Sequence, residues 1–396
     1  MKALTDSLSQ PVVSRVPPDL SDRVRIARFL CIFLMMFVHV EPGISTNVYD
    51  RDAGGFDLIY FVFARLLGLS SVSLLSVVSG YFVVASQGKA GFGRFALSKA
   101  RTLVVPLIAW NLLMLALLAA YGQLTGKWQQ MPEFTLVGMA DALLALTKWP
   151  LDVPLWFLRD LFVCCLLSPL LFMGLKRAPV IVMLVLAAYM VFGENWLILL
   201  RPQLLLFFAL GMWLRITGPD LQAIDRMARL LTAGLAIMIA VFVTIRLERV
   251  LLTEMEETLR LALDTLLRVT MAGGFWLLTG MMQHTVLASL CMRLEPHAFF
   301  LFCSHAILFH FAAIPLRRVF GNYGSDLFPI TFFSLPIIAV VAAIVGLRMI
   351  RGSRTLLFLF NAGHDAPSAT DRKPKRRQIS PAIRQMAVNR GRDGSD

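Results

Sequence analysis

The sequence predicts an all-α integral membrane protein, a bundle of about ten transmembrane helices with both termini in the cytoplasm. Three observations predict it. The 396 residues are 57% hydrophobic and only 16% charged, where soluble domains carry roughly a quarter charged residues. The apolar runs are continuous rather than alternating, so the backbone satisfies itself in hydrocarbon as helices and not as a barrel. Basic and acidic residues also segregate between alternate loops.

The chain opens on a polar lead, residues 1–22, with paired prolines Pro17 and Pro18. The first apolar run, Val24 to Val40, follows Arg23 and Arg25. It resembles a signal peptide but ends in His39-Val40-Glu41-Pro42-Gly43 without a small-residue cleavage site, so it is read as a retained span. Residues 56–69 are amphipathic enough to lie along the membrane surface. Further spans are expected at 71–86, 102–121, 154–174, 179–193, 199–216, 229–246, 261–282, 297–316 and 328–350. Residues 23–350 thus form one transmembrane domain, and 351–396 read as a basic, disordered cytoplasmic tail.

Loop charge sets the orientation. Lys89, Arg94, Lys99 and Arg101 stand together without an acidic residue, as do Lys176 and Arg177, whereas Asp50, Asp52 and Asp57 and then Glu248, Glu254, Glu256 and Glu257 mark the opposite side. Arg317-Arg318 is the exception on that outer side. About half of the net charge of +13 lies from Arg348 onward, where eleven Lys and Arg face four Asp and Glu. Basic flanks of this kind answer to topology and anionic lipid, not to nucleic acid. The five cysteines form no C-x-x-C pair, and no metal site is indicated.

Ionisable residues inside spans are costly and are functional candidates. Arg28 and His39 lie in the first span, roughly 16–17 Å apart along a helix axis. Arg28 falls near the inner boundary and His39 toward the outer one, where an imidazole suits proton transfer. The same positions would also suit a snorkelling arginine and an interfacial cap. Pro154-Leu155-Trp156-Phe157-Leu158-Arg159-Asp160 opens a span from the outside. Asp160 sits roughly 9 Å in, and either it or Arg159 could meet His39, where the Asp160 carboxylate would take a catalytic part by holding the imidazole tautomer and raising its basicity; a structural ion pair is the competing reading. The basic loop at Arg94, Lys99 and Arg101 suits a phosphorylated ligand. Alone, it is as well explained by topology. Ser79 beside Gly80 suits close helix packing, and His305 with His310 places two imidazoles in a late span. Walker, G-x-S-x-G, H-E-x-x-H and C-x-x-C motifs are absent, which weighs against ATP-driven transport and zinc hydrolysis.

Taken in chain order, these segments resemble the membrane acyltransferase-3 family over most of residues 23–350. Arg28 and His39 match its R-x10-H pattern, and Leu75-Ser76-Val77-Val78-Ser79-Gly80-Tyr81-Phe82 resembles its second-span signature. Lys99-Ala100-Arg101, running to Pro106 and Trp110-Asn111, is similar to its basic loop and P-x3-W-N helix. Leu155-Trp156-Phe157-Leu158-Arg159-Asp160-Leu161 looks like the version in sugar O-acetylase branches, and Phe299 to His305 like a late F-x5-H element.

The resemblance implies a stand-alone enzyme of the bacterial inner membrane. It would move an acetyl or succinyl group from cytoplasmic acyl-CoA to a hydroxyl of an exopolysaccharide, lipid-linked oligosaccharide or lipopolysaccharide. Acyl-CoA would be a substrate, with no permanently bound cofactor. On this reading His39 is the general base or acyl relay, Arg159 a donor to the oxyanion, and Arg28, Lys99 and Arg101 hold the donor. Arg94 stands off the family's basic pair. Ser79, Trp156 and His305 are substrate-facing or structural-polar positions. Two other classes also need intramembrane charge: a glycolipid flippase without acyl transfer, and a scaffold in a polysaccharide-synthesis complex.

Overall fold

A computed structural model describes residues 18–44, 56–87, 91–128, 131–192, 198–218, 225, 227–247 and 257–365. Expectations resting on residues 1–17, on Asp50, Asp52, Glu248, Glu254 and Glu256, on Lys89 and on 366–396 lie outside the described residues. Among the described residues there are helices and no strands.

Helix α1 spans Pro18–Met35 and tightens into a 3-10 turn, Met36–His39. Asp19 in its first turn complements the helix dipole, and Val40 turns extended to end it. The tighter final turn lengthens the rise from Arg28 to His39 to roughly 18–19 Å. Helix α2, Phe56–Tyr60, passes through a π-helical stretch, Phe61–Leu69, into α3, Ser70–Gln87.

The expected surface helix at 56–69 is therefore corrected. It is continuous with the next span, and its aromatic residues pack into the bundle instead of lying on it. Phe56 and Tyr60 meet Phe332 at ring-centroid distances of 5.4 and 5.2 Å. The Tyr323 hydroxyl donates to Asp57, and Phe63 lies 4.9 Å from Phe37. At Gly68 a Cβ would stand 2.5 Å from the Val38 side chain, so glycine lets this stretch seat directly against the turn that carries His39.

Further along run α4, Phe92–Lys99; a π-helical turn, Ala100–Val104; α5, Val105–Thr125; and α6, Leu136–Leu144. After a 3-10 turn, Val153–Leu155, come α7, Trp156–Arg177, α8, Pro179–Phe192, and α9, Gln203–Thr217. The remaining helices are α10, Ala228–Leu247; α11, Glu257–Met282; α12, Val286–Leu294; α13, Ala298–Phe320; α14, Phe328–Ile350; and α15, Arg354–Asn361.

Among the described residues, five helical stretches are long and apolar enough to cross a membrane: Phe56–Ser86, Phe92–Thr125, Val153–Arg177, Val286–Phe320 and Phe328–Ile350, with shorter apolar helices at Pro179–Phe192, Gln203–Thr217 and Leu230–Val241. Length and apolarity alone thus reach five spans and not ten. Helix α1 falls outside that set because Asp19, Asp22, Arg23, Arg25 and Arg28 crowd its first half.

Two crossings position the site. Helices α3 and α9 touch backbone to backbone: a Cβ at Gly80 would lie 1.9 Å from the Phe208 carbonyl oxygen, and one at Gly211 would lie 1.9 Å from that of Val77. Small residues permit this approach, as expected for helices associating in lipid. The second clamp is Asn111 on α5, fully buried. Its Nδ2 donates to the Leu143 carbonyl at 3.1 Å, and its Oδ1 accepts the Asp152 amide at 2.9 Å. One side chain thereby ties the 143–152 segment to the bundle.

The start of the expected disordered tail also differs. Ser353 caps α15 by accepting from the Leu356 amide at 3.3 Å, Leu357 is buried, and the Trp110 indole donates to the Phe360 carbonyl at 3.0 Å. The apolar cluster in Leu356-Leu357-Phe358-Leu359-Phe360 explains why this stretch docks although basic residues surround it.

Candidate active site

His39 ends the 3-10 turn half-buried and faces a cavity of about 520 Å³. Around it stand Trp149, Trp156, Arg201, Gln203 and Arg268, with Ser73 and Ser76 from α3. A second cavity, about 300 Å³, is lined by Arg28, Lys99, Thr102 and Ser79. Leu75, Phe157 and Phe302 line both, so the two cavities adjoin across an apolar wall. The Phe157 and Phe302 rings meet edge to face at 5.8 Å within that wall. A basic chamber and an imidazole chamber are thus stacked along α1, at the levels of Arg28 and His39.

In the basic chamber Arg28 pairs with Glu295, which also lies 3.5 Å from Arg25. Lys99 stands over the Phe95 ring at 5.7 Å. Arg94 and Arg101 are exposed and line neither cavity. Lys99 and Arg101 are two residues apart on continuous helix and so point to different sides, and the basic loop does not act as one patch at the cavity. Ser79 borders the chamber and gives its hydroxyl hydrogen to the Leu75 carbonyl at 2.8 Å.

Arg159 and Asp160 do not reach His39, a correction to the expected meeting. They pair with each other at 2.8 Å. Asp160, fully buried, also accepts the amides of Leu200 at 3.1 Å and Arg201 at 2.8 Å. Arg159 donates to the Ile198 carbonyl at 2.6 Å. Both side chains face the 198–201 segment because α7 turns that side toward α9, and neither lines the two cavities. They are positioning residues in this geometry.

What stands beside His39 is His305 on α13, fully buried, with ring centroids 5.2 Å apart. Trp156 lines the chamber edge-on to Trp149 at 6.1 Å.

Sequence reasoning missed Trp149, Arg201, Gln203 and Arg268. Arg201 lies over the Trp149 ring at 5.0 Å, and Arg268 donates to the Leu69 carbonyl at 3.2 Å. Arg268 carried a usable but weaker signal, an arginine well inside a helix whose first half also holds Arg260 and Asp264. Trp149 and Arg201 lie in connecting segments and carried none.

A multi-helix membrane protein with a basic chamber stacked on an imidazole chamber fits the class of membrane acyltransferases, and the sequence comparison agrees: residues 22–348 match the acyltransferase domain of the acyltransferase-3 family. The chain belongs to that family and is an acyltransferase. It is 27% identical over 345 residues, 84% of its own length and 89% of the relative's, to the succinoglycan biosynthesis protein ExoH of Rhizobium meliloti. No solved structure matches it.

Proposed function

We propose that the protein transfers an acyl group, succinyl or acetyl, from cytoplasmic acyl-CoA to a hydroxyl of an exopolysaccharide or of its lipid-linked or lipopolysaccharide counterparts. On this reading about ten helices cross the bacterial inner membrane with both termini inside, and the enzyme works beside a polysaccharide-synthesis complex. The observation that carries the proposal is the shared wall of Leu75, Phe157 and Phe302 between the chamber of Arg28 and Lys99 and the chamber of His39. Lys99 and Arg28 hold the CoA anion at the inner end. The thin pantetheine arm passes the wall and brings the thioester to His39.

The chemistry then needs few parts. The acceptor oxygen attacks the thioester carbonyl carbon while His39 takes the hydroxyl proton. The C–S bond breaks as the ester C–O bond is completed, and the leaving thiolate recovers the proton from His39. General-base help of this kind contributes roughly 10²–10⁴-fold. A donor to the oxyanion comes from the same chamber, where Gln203 stands; Arg159, expected in that role, is engaged by Asp160 and the Ile198 carbonyl. Trp149 and Trp156 offer flat faces suited to a sugar ring. Two guanidiniums, Arg201 and Arg268, favour a donor that carries its own carboxylate, hence succinyl over acetyl.

The experiment is acyl transfer by the purified protein in lipid nanodiscs, from labelled succinyl-CoA and acetyl-CoA to the oligosaccharide repeat. New ester is expected with wild type and none with His39→Ala at equal membrane abundance. Glycolipid movement without ester formation would establish the flippase reading instead, and full activity in His39→Ala would remove the imidazole from the chemistry.

A further inference from the structure

His305 stands behind His39 and does not line the cavity. Its Nδ1 lies 2.8 Å from the Phe302 carbonyl oxygen and 3.2 Å from that of Leu301. Carbonyl oxygens only accept, so Nδ1 carries the hydrogen, and in the neutral ring Nε2 is a lone-pair acceptor. That Nε2 is buried and has no hydrogen-bond partner. Phe302 and Phe309 flank the ring at 6.3 and 5.7 Å, which leaves it little freedom to turn elsewhere.

An orphaned buried acceptor is destabilising, and one held in a fixed tautomer beside His39 has an evident use. The two rings cross at 61° and the bond is not formed in this structure; with centroids 5.2 Å apart and ring nitrogens about 1.2 Å from each centroid, a turn of the His39 ring that faces two nitrogens brings them to roughly 3 Å, within hydrogen-bond range.

We infer that His305 is the positioning residue for His39: its Nε2 accepts the N–H of His39, fixes the His39 tautomer, and leaves the other His39 nitrogen bare toward the cavity as the base. The inference rests on the proposed role of His39 as proton acceptor. The backbone carbonyls of Leu301 and Phe302 thus set the His305 tautomer, and His305 sets that of His39. When His39 takes the acceptor's proton, the same bond becomes charge-assisted and holds the imidazolium in place. A carboxylate performs this orienting task in many hydrolases; here a neutral ring does it, in a part of the molecule where a carboxylate would be expensive to bury.

The test combines kinetics and spectroscopy in nanodiscs. His305→Phe, which keeps a flat ring and removes the acceptor, is expected to lower kcat about 100-fold with little change in the KM for acyl-CoA, the size expected when a catalytic group loses its orientation. His305→Gln, which offers an acceptor oxygen, is expected to recover at least tenfold over His305→Phe. In wild-type protein labelled with 15N-histidine, a nitrogen–nitrogen coupling across the His39–His305 hydrogen bond is expected with substrate bound, and it needs no variant to fold. Absence of that coupling, or wild-type kcat in His305→Phe, overturns the inference while leaving the role of His39 intact. Activity in His39→Ala overturns the reading beneath it.

Discussion

Asp160 accepts the backbone amide of Arg201 at 2.8 Å, and through that bond a fully buried carboxylate on α7 sets where a cation enters the chamber of His39. The same carboxylate neutralises Arg159, itself buried. Removing one partner of a buried pair leaves a stranded charge, at a cost of about 3–5 kcal/mol. Asp160→Ala is therefore expected to reduce thermal stability and membrane yield sharply. Asp160→Asn, which keeps an accepting oxygen for the Arg201 amide, is expected to retain more folded protein than the alanine variant. Thermal unfolding of the two purified variants checks this; equal stability of wild type and Asp160→Ala would remove the pair from its positioning role.

The wall between the chambers gives a kinetic prediction. Leu75 lines both cavities, so Leu75→Trp places a large ring across the passage without touching Lys99 or His39. The expected result is a fall in kcat of at least tenfold with little change in CoA binding, measured by competition with free CoA. Loss of CoA affinity together with activity would place the passage elsewhere.

The α3–α9 crossing should tolerate no side chain. At Gly211 a Cβ would sit 1.9 Å from the Val77 carbonyl oxygen, a contact with backbone that no rotamer relieves. Overpacking typically costs about 1–3 kcal/mol. Gly211→Leu is expected to lower the unfolding temperature and yield, whereas Gly93→Ala, with nothing within 4 Å of the added Cβ, is expected to change neither. Stability measured by fluorescence-detected size exclusion separates the two.

Much of this architecture was legible because hydrocarbon punishes polar groups: Arg28 and His39 stand out in an apolar run, and their separation survives in the structure as two stacked chambers. The pairing of residues was less legible. Arg159 and Asp160 are conspicuous in sequence, yet their direction depends on which helix lies opposite. His305 stands out in sequence as a polar residue in an apolar run, but only the α13 crossing sets it beside His39. The 131–152 segment falls between the expected spans 102–121 and 154–174 and gives no sign in sequence of where it packs. The two hydrogen bonds of Asn111, and the contacts of Trp149 with Trp156 and Arg201, show that it folds into the bundle.

That segment also makes a pH prediction. The Thr147 hydroxyl and amide each donate to the Asp141 carboxylate at 2.6 Å, and chiefly through the side-chain bond they hold its pKa below the ordinary carboxylate value. A depressed folded pKa means the contribution is fully present above the unfolded value, near 4, and is lost as pH falls through the folded one. The turn that carries Trp149 should therefore be pH-independent through the neutral range and weaken only under acid. Asp141→Asn is expected to lower stability at pH 7 and to narrow its gap from wild type below pH 4. A gap that stays constant across that range would show that the carboxylate charge is not what holds the turn.

Arg268 offers the sharpest test of donor identity. It sits on α11, lines the His39 chamber and is anchored to the Leu69 carbonyl at 3.2 Å. Arg268 follows Asp264 by one turn on that helix and offers its guanidinium to an anionic group in the chamber. Hydrogen bonds to charged groups are worth about 1.5–3 kcal/mol, so if the donor's distal carboxylate is that group, Arg268→Gln should reduce kcat/KM for succinyl-CoA by roughly 10–100-fold. Acetyl-CoA has no distal carboxylate, and its kcat/KM should change by no more than a few-fold. Parallel measurement with both donors isolates the effect from folding, since a damaged fold lowers both. An equal loss with the two donors would assign Arg268 to the helix bundle or to the saccharide, and the preference for succinyl would lose its physical basis.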